Sequence, residues 1–204
     1  MTVLLFATKE EAQVTLHSLQ AKKTSLCENL YETENLAILI TGMGPQKTKE
    51  TLSYHIDNFD SFINLGIAGA LHEDYEENRL YEITHVAEDQ NHQALLQLCA
   101  DKRKTLCTVK EPLYDPKTRD FLSTHFDFVD MEGYEIAKAC IGKKKQVRMF
   151  KIVSDRCDEE TPHTIREKLP SLSKALYDQM SVIISEIINV RATGSFTYEN
   201  PQSL

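Results

Sequence analysis

Three acidic residues follow apolar segments of this chain and could do chemistry together. Glu11 lies four residues after one such segment, and Glu132 and Asp155 each lie two residues after another. Three acids in one pocket suit acid/base work on an uncharged, hydroxyl-rich substrate, in which one protonates a leaving group, one activates water and one holds hydroxyls. Each acid alone also fits a structural role: Glu11 in a first helical turn, Asp155 as a helix cap and Glu132 on a solvated face.

Alternating strand and helix patterns would position these acids. Apolar runs predict strands at residues 3–7, 36–40, 62–65, 80–87, 105–109, 126–130 and 149–153. Helical spacing predicts helices at residues 10–20, 46–56, 90–100 and 133–141, and one or two helices around Pro170 within residues 164–190. The alternation predicts an α/β fold, a three-layer αβα sandwich around a mixed, twisted sheet.

Ligands of open α/β sheets bind outside the carboxyl ends of the strands. That rule selects five segments: residues 7–11, 41–45, 66–71, 130–133 and 154–158. Residues 66–69 read Gly-Ile-Ala-Gly, which predicts a Gly-rich turn where the backbone approaches a ligand closely. We expect one domain over residues 1–193, followed by a loose tail at residues 194–204.

Composition excludes several classes of function. The chain of 204 residues has 23 Lys+Arg against 31 Asp+Glu, a formal charge of −8, so nucleic acid is not an expected partner. No segment approaches the roughly 18 apolar residues of a membrane span, and the first residues lack a basic leader, so we expect a cytoplasmic protein without membrane contact. The partners should be a small molecule or another protein.

The cysteines and histidines do not suggest a metal site or a disulfide framework. Both residue types are scattered without ligand spacing, so we expect neither metal nor cofactor. An odd number of cysteines suits a reducing compartment, and we interpret them as buried thiols without a histidine partner: Cys27, Cys99, Cys107, Cys140 and Cys157.

Five segments in order resemble the signature of the nucleoside phosphorylase superfamily, most closely its methylthioadenosine/S-adenosylhomocysteine nucleosidase branch. They are ATKEE at residues 7–11, TGMG at 41–44, NLGIAG at 64–69, VDMEG at 129–133 and VSD at 153–155. The match spans roughly residues 3 to 160. The resemblance implies the fold of that superfamily, a nucleoside substrate with a purine base as product, and a homodimer.

The resemblance also implies roles for the matching residues. Asp155 would donate a proton to N7 of the purine, and Ser154 would orient Asp155. Glu132 would accept hydrogen bonds from the ribose hydroxyls, with Met131 packed against the sugar. Glu11 would be the general base that activates the attacking water.

Further substrate contacts follow from the same resemblance. Gly42 and Gly44 would form a turn under the sugar. Tyr114 fits the base site and equally fits a surface position beside a turn. The remaining implied contact residues are Met43, Gly44, Ile67, Ala68, Gly69, Leu113, Asp130 and Lys151.

The chain departs from the family pattern in three places. Ile67 replaces a hydroxyl residue, and Lys151 replaces an arginine, which keeps the charge without the planar fork. The region between residues 80 and 108 is short for the loop that covers the 5′ end of the nucleoside in the nucleosidases. The 5′ pocket is therefore expected to be more open or built differently.

Water is the expected nucleophile. A phosphorylase needs cations, generally arginines, beside the sugar. No arginine is near residues 42–44 or 62–66. Arg79 and Arg148 could contact phosphate, but a solvated or ion-paired arginine is the more usual role. Glu11 would repel phosphate and could deprotonate water.

The leading hypothesis is hydrolysis of the N-glycosidic bond of a 5′-modified adenosine, releasing adenine. The candidates are 5′-methylthioadenosine, S-adenosylhomocysteine and 6-amino-6-deoxyfutalosine, which would link the protein to methionine salvage or to menaquinone biosynthesis. Two alternatives stay open: a phosphate-dependent purine nucleoside phosphorylase, and a non-catalytic nucleoside-binding homologue.

Overall fold

Apolar strands in the middle of one sheet carry the candidate acids at or near their ends. The computed structural model of the chain describes residues 1–25, 27–89, 95–100 and 102–193. In these ranges eleven strands form: β1 (Thr2–Phe6), β2 (Lys22–Lys23), β3 (Leu30–Glu32), β4 (Leu36–Ile40), β5 (Ser61–Ala70), β6 (Leu80–Glu82), β7 (His85–Glu88), β8 (Leu96–Gln97), β9 (Thr105–Thr108), β10 (Phe128–Asp130) and β11 (Gln146–Asp155). The same ranges contain five α-helices: α1 (Lys9–Ser18), α2 (Pro45–His55), α3 (Pro116–Ser123), α4 (Gly133–Gly142) and α5 (Thr161–Thr193).

The strands form one mixed sheet with β5 at its centre. The order is β2-β3-β4-β1-β5-β10-β9-β7-β8, and β11 pairs with β5 and β6. Strands β4, β1, β5 and β11 run parallel, whereas β10 pairs with β5 in the antiparallel direction. The first half of β5 pairs with β1, and its last residues pair with β10.

The strand register brings several strand ends to one edge of the sheet. Phe6 pairs with Ile40, so β1 and β4 end at the same level. Asp155, the last residue of β11, pairs with Gly69 of β5, and Gly69 also pairs with Val129 of β10. The segments that follow β1, β4, β10 and β11 therefore meet around the second half of β5.

Helices cover both faces of the sheet. On one face, α5 contributes Leu172, Leu176 and Met180 to a core cluster with the central strands, and α1 packs beside it. On the other face, α2 and α4 contribute Leu52 and Ile136 to a second cluster. The result is a three-layer αβα arrangement, and the fold class predicted from the sequence is confirmed.

Strand β1 is apolar from its second residue, Val3, to Phe6 because both of its faces are covered. Successive side chains of a strand point to opposite faces. Leu4 and Phe6 therefore join the cluster under α5, while Val3 and Leu5 join the cluster under α2 and α4. This is the reason that continuous apolar runs, rather than alternating ones, identified the central strands.

Several predicted elements need correction. Residues 66–69 belong to β5 and do not form a turn. The predicted strand at residues 80–87 is divided into β6 and β7. The helix predicted at residues 90–100 is wrong where the structure describes it, because Leu96–Gln97 forms β8, and residues 90–94 lie outside the described residues.

Three further elements were not predicted. The short strands β2 and β3 lack a long apolar run; β2 pairs with β3, and β3 pairs with β4. Helix α3 does have a start signal: Asp115 caps it and Pro116 is its first residue.

Helix α5 was predicted as one or two helices around Pro170. It continues through Pro170 as one helix of 33 residues, and side chains between Leu172 and Ile187 pack in the core cluster on the sheet.

No helix within the described ranges is long and apolar enough to cross a membrane. The single domain over residues 1–193 stays a prediction. The predicted loose tail at residues 194–204 lies outside the described residues.

Candidate functional site

Glu11 enters the site from the first turn of α1. Thr8 caps this helix and accepts a hydrogen bond from the backbone N–H of Glu11 at 3.2 Å. The Glu11 residue is only 6% exposed, and its Oε2 has no hydrogen-bond partner among the residues described. Burial, reinforced by the charge of Glu132, raises the pKa of Glu11 to about 8. This carboxylate can therefore accept a proton near neutral pH.

A buried ion pair links β10 to β11. Lys151 Nζ lies 2.7 Å from Asp130 Oδ2, and both side chains are almost fully buried. Asp130 also accepts hydrogen bonds from the hydroxyl of Thr108 and the N–H of Gly133. Burial by itself lowers the pKa of Lys151, but Asp130 and two further carboxylates outweigh burial and raise that pKa. The ammonium group is therefore charged.

Glu132 precedes α4 and reaches the loop that follows β4. Its Oε1 accepts a hydrogen bond from the Gly44 N–H at 2.7 Å. Gly42 and Gly44 both have positive φ angles, of 87° and 90°, so this loop makes the turn that was predicted there. Burial, followed by the charge of Asp130, raises the pKa of Glu132 to about 7.

Gly66 leaves space between charged groups. A Cβ atom at this position would lie 3.2 Å from Glu11 Oε2 and 3.4 Å from Lys151 Nζ. These two atoms therefore face the same place on β5. We refer to Glu11, Asp130, Glu132 and Lys151 as the charged cluster. Three carboxylates beside one ammonium disfavour an additional anion and suit hydrogen-bond donors such as hydroxyl groups or water.

Asp155 forms a second centre at the end of β11. Its Oδ1 accepts hydrogen bonds from the Cys157 N–H at 2.8 Å and from the Thr161 hydroxyl at 3.0 Å. Its Oδ2 accepts a hydrogen bond from the Ser154 hydroxyl, which also lies 3.2 Å from the carbonyl oxygen of Ala68. Asp155 is 4% exposed, so these groups hold a buried carboxyl group in one orientation.

The charged cluster and Asp155 lie along the same stretch of β5. Lys151 pairs with Gly66, and Asp155 pairs with Gly69. At about 3.3 Å for each strand residue, roughly 10 Å separates the two centres. This separation suits a ligand with two functional ends, one rich in hydroxyl groups and one that exchanges a proton.

Gly69 leaves room for the loop that follows β11. A Cβ atom there would lie 2.2 Å from Cys157 Sγ and 3.1 Å from Asp155 Oδ1. We expect Gly69→Ala to displace that loop and to reduce the free energy of unfolding by about 1–3 kcal/mol, measured by chemical denaturation. Gly142→Ala is the control, because a Cβ atom there meets nothing within 4 Å. Equal stability of the two variants would contradict the assigned role of Gly69.

The structure places the other predicted contact residues in different surroundings. Met131 and Leu113 pack against one apolar cluster near β9 and β10. Met43 and Tyr114 are 54% and 50% exposed, so neither is enclosed with the acids. Ile67 packs against the core cluster under α5. The backbone of Ile67, but not its side chain, therefore lies between the charged cluster and Asp155.

Three groups that hold the acids were missed by the sequence analysis. Thr161 had a signal, because a hydroxyl residue at the start of a helical pattern commonly binds nearby polar groups. For Thr108 the only signal was its position near the end of a predicted strand. Cys157 has a φ angle of 55°, and no residue pattern announces that conformation.

Other polar features lie away from the acids. Cavities of about 630 Å³ beside α1 and about 380 Å³ beside α3 are lined by none of the three predicted catalytic residues. The five cysteines are free thiols, but Cys27 and Cys99 are only half-buried, which corrects the expectation that all five are buried. Cys27 Sγ lies 3.4 Å from His55 Nε2, which corrects the expectation that no cysteine has a histidine neighbour. The described part of the chain holds no group of three potential metal ligands.

The mixed sheet between two layers of helices has the nucleoside phosphorylase-like fold of several solved structures. These structures are similar to the chain over most of their length. The methylthioadenosine nucleosidase (MTAN) of Helicobacter pylori, as an Asp→Asn variant with 5′-methylthioadenosine in the active site, is 16% identical, with a TM-score of 0.81 over 91% of this chain and 98% of that one. The futalosine hydrolase of the same organism is also 16% identical, with a TM-score of 0.80 over 91% and 97%.

A third similar structure has a higher sequence identity. The MTAN of Chlamydia trachomatis, as an Asp→Asn variant bound to MTA, is 28% identical, with a TM-score of 0.78 over 92% of this chain and 98% of that one. No protein-family model and no curated protein matches the chain. The structural neighbours confirm the resemblance stated from the sequence, including its futalosine hydrolase option.

Proposed function

We propose that this protein is a nucleosidase that hydrolyses the N-glycosidic bond of a 5′-modified adenosine and releases adenine. The observation that carries the proposal is the pairing of a charged cluster, with a free Glu11 oxygen, and a separately held Asp155 along one stretch of β5. The similar MTAN and futalosine hydrolase structures support the same chemistry.

The proposed reaction uses the two centres on the two ends of the nucleoside. Glu132 accepts hydrogen bonds from the ribose hydroxyls, and the sugar lies against Met131. Asp155 transfers its proton to N7 of the purine as the bond between C1′ and N9 breaks. Glu11 takes a proton from the water that attacks C1′, so the products are the neutral base and a free sugar.

The charge around the sugar favours water over phosphate. Lys151 is the cation that acts on both Glu11 and Glu132, and it is already paired with Asp130. Arg79 and Arg148 form ion pairs with Glu76 and Glu82, as expected from the sequence. Phosphate at this place would meet carboxylates rather than a cationic pocket.

The direct test is incubation with 5′-methylthioadenosine, S-adenosylhomocysteine and 6-amino-6-deoxyfutalosine, with and without phosphate. Free adenine without added phosphate supports the nucleosidase. A strict phosphate requirement with formation of a sugar 1-phosphate identifies a phosphorylase instead. If no nucleoside releases base at any pH, yet wild type and Asp155→Asn bind adenine equally, the protein is a non-catalytic binder.

The homodimer and the cytoplasmic location stay predictions.

The pH profile of the wild type should report the buried base. Glu11 acts only when ionised, and its pKa in the folded protein is about 8. We expect kcat/KM to fall about tenfold for each pH unit below about 7, because kcat/KM follows the groups of the free enzyme. Initial rates between pH 5.5 and 9 measure this. A kcat/KM that stays constant from pH 8 down to 5.5, as expected for a glutamate with the ordinary pKa of 4.5, would exclude Glu11 as the base.

A further inference from the structure

The first residue of α5 is joined to Asp155 by a buried hydrogen bond. Thr161 is 3% exposed, and its hydroxyl donates to Asp155 Oδ1 at 3.0 Å. The hydroxyl also accepts a hydrogen bond from the Asp158 N–H at 2.9 Å. The Thr161 hydroxyl oxygen is 3.5 Å from the other available acceptor, Asp158 Oδ1, so its single proton favours the shorter contact with Asp155.

Helix α5 gives this hydrogen bond a rigid support. Leu172 and Leu176 of the helix are buried in the core against the sheet. Ser173, one of the buried residues of the same helix, donates a hydrogen bond to the carbonyl oxygen of Glu11 at 2.8 Å. One helix therefore contacts Asp155 through its first residue and the backbone of Glu11 three turns later.

We propose that Thr161 is a positioning residue that fixes the orientation of the Asp155 carboxyl group. The inference rests on the proposed function, in which Asp155 is the acid at the purine. With Oδ1 held by Thr161 and the Cys157 N–H, rotation of the carboxyl group is restricted and Oδ2 stays toward Ser154. Thr161 itself does not touch the substrate.

The hydrogen bond has a consequence for the rate of proton transfer. A carboxyl group held in one orientation presents its proton to the purine, so loss of the Thr161 hydroxyl should slow proton transfer to N7. A leaving group that departs without a proton should be affected much less. A purely structural role would lower stability and slow both reactions alike.

The test is steady-state kinetics for wild type, Thr161→Val and Thr161→Ser with two substrates: 5′-methylthioadenosine, and 4-nitrophenyl β-D-riboside, whose leaving group needs no proton. We expect Thr161→Val to lower kcat for 5′-methylthioadenosine about tenfold with KM within about twofold, and to change kcat for the riboside by about twofold or less. Thr161→Ser keeps the hydroxyl and should restore kcat for 5′-methylthioadenosine to within about twofold of wild type. Thr161→Ala gives the same test if the valine variant does not fold.

Thr105→Val is the matched control. Thr105 donates a hydrogen bond to Asp127 Oδ2 at 2.8 Å, an equivalent Thr–Asp pair outside the site. This variant should lose stability and keep the wild-type kcat on both substrates. Wild-type kinetics in Thr161→Val, or equal losses of kcat on the two substrates, would overturn the inference alone. Absence of base release by the wild type would instead remove the proposed function and this inference with it.

Discussion

Replacement of Glu11 by glutamine is expected to lower kcat by about 10³-fold, with KM within about threefold of wild type. Glutamine has nearly the same shape as glutamate and can still hydrogen-bond water through its amide, but it cannot take a proton. The variant removes the carboxylate of Glu11. Its Oε2 has no hydrogen-bond partner among the described residues and lies beside the space left by the missing side chain of Gly66. Glu132 and Asp155, the acids proposed to contact the nucleoside, are left in place, so the loss should fall on kcat.

The same substitution should raise stability at alkaline pH. The pKa of Glu11 is raised from 4.5 to about 8 by folding, so the folded state binds a proton that the unfolded state has released. Stability from this group is thus fully present below about 4.5 and is lost as pH rises through about 8. Glutamine does not titrate, so the melting temperature of Glu11→Gln should exceed that of wild type by a larger margin at pH 8.5 than at pH 5.5.

Glu10→Gln is the control for both measurements. Glu10 lies one residue earlier on α1 and is exposed, so its charge is in water in both states. It should match wild type in kcat and in the pH dependence of melting. Retention of near-wild-type kcat by Glu11→Gln would show that another group, such as Glu132, accepts the proton from water.

The strands of the site can be predicted well from sequence because a strand that is buried on both faces consists of consecutive apolar residues. Covered on both faces, β1 and β4 read as unbroken apolar runs, and their predicted bounds agree with the structure to within a residue or so. The positions of Glu11 and Glu132 after strands, and of Asp155 at the end of one, follow from the same patterns. These features need no knowledge of which strands are neighbours in the sheet.

The contacts between the acids depend on strand pairing, which the residue pattern does not contain. Lys151 meets Asp130 only because β11 and β10 flank the same end of β5. The Gly66 and Gly69 positions resemble a turn in sequence, since glycine commonly marks turns. In the structure they are strand residues without side chains, because the neighbouring carboxylate, ammonium and thiol groups occupy the space that a Cβ atom would need.

The charged cluster also shows why single residues gave ambiguous interpretations. Glu132 precedes a helix, as a solvated or capping residue would, yet its carboxylate accepts the N–H of Gly44 from another part of the chain. Its altered pKa comes from burial and Asp130, and neither cause is visible from Glu132 alone. The surroundings of Glu132 in the folded protein therefore distinguish a chemical role from a structural one. Its position along the chain does not.

Replacement of Asp155 by asparagine should lower kcat by about 10³-fold while the fold and nucleoside binding are retained. The surroundings can accept an amide. Asparagine Oδ1 would keep the hydrogen bonds from the Cys157 N–H and the Thr161 hydroxyl, and its NH₂ group would face Ser154. The Ser154 hydroxyl can then turn its proton to the Ala68 carbonyl oxygen, 3.2 Å away, and accept from the amide. No buried donor loses its partner, so the cost in stability should be small.

The decisive comparison for Asp155→Asn is between leaving groups that do and do not need a proton. For 5′-methylthioadenosine, the purine must gain a proton at N7, and an amide cannot supply it. For 4-nitrophenyl β-D-riboside, the leaving group departs as a stable anion, so the loss in kcat should be about tenfold or less. Asp158→Asn, with the same charge change three residues further along, should match wild type on both substrates. Equal losses on the two substrates would show that Asp155 orients the nucleoside and does not act as the acid.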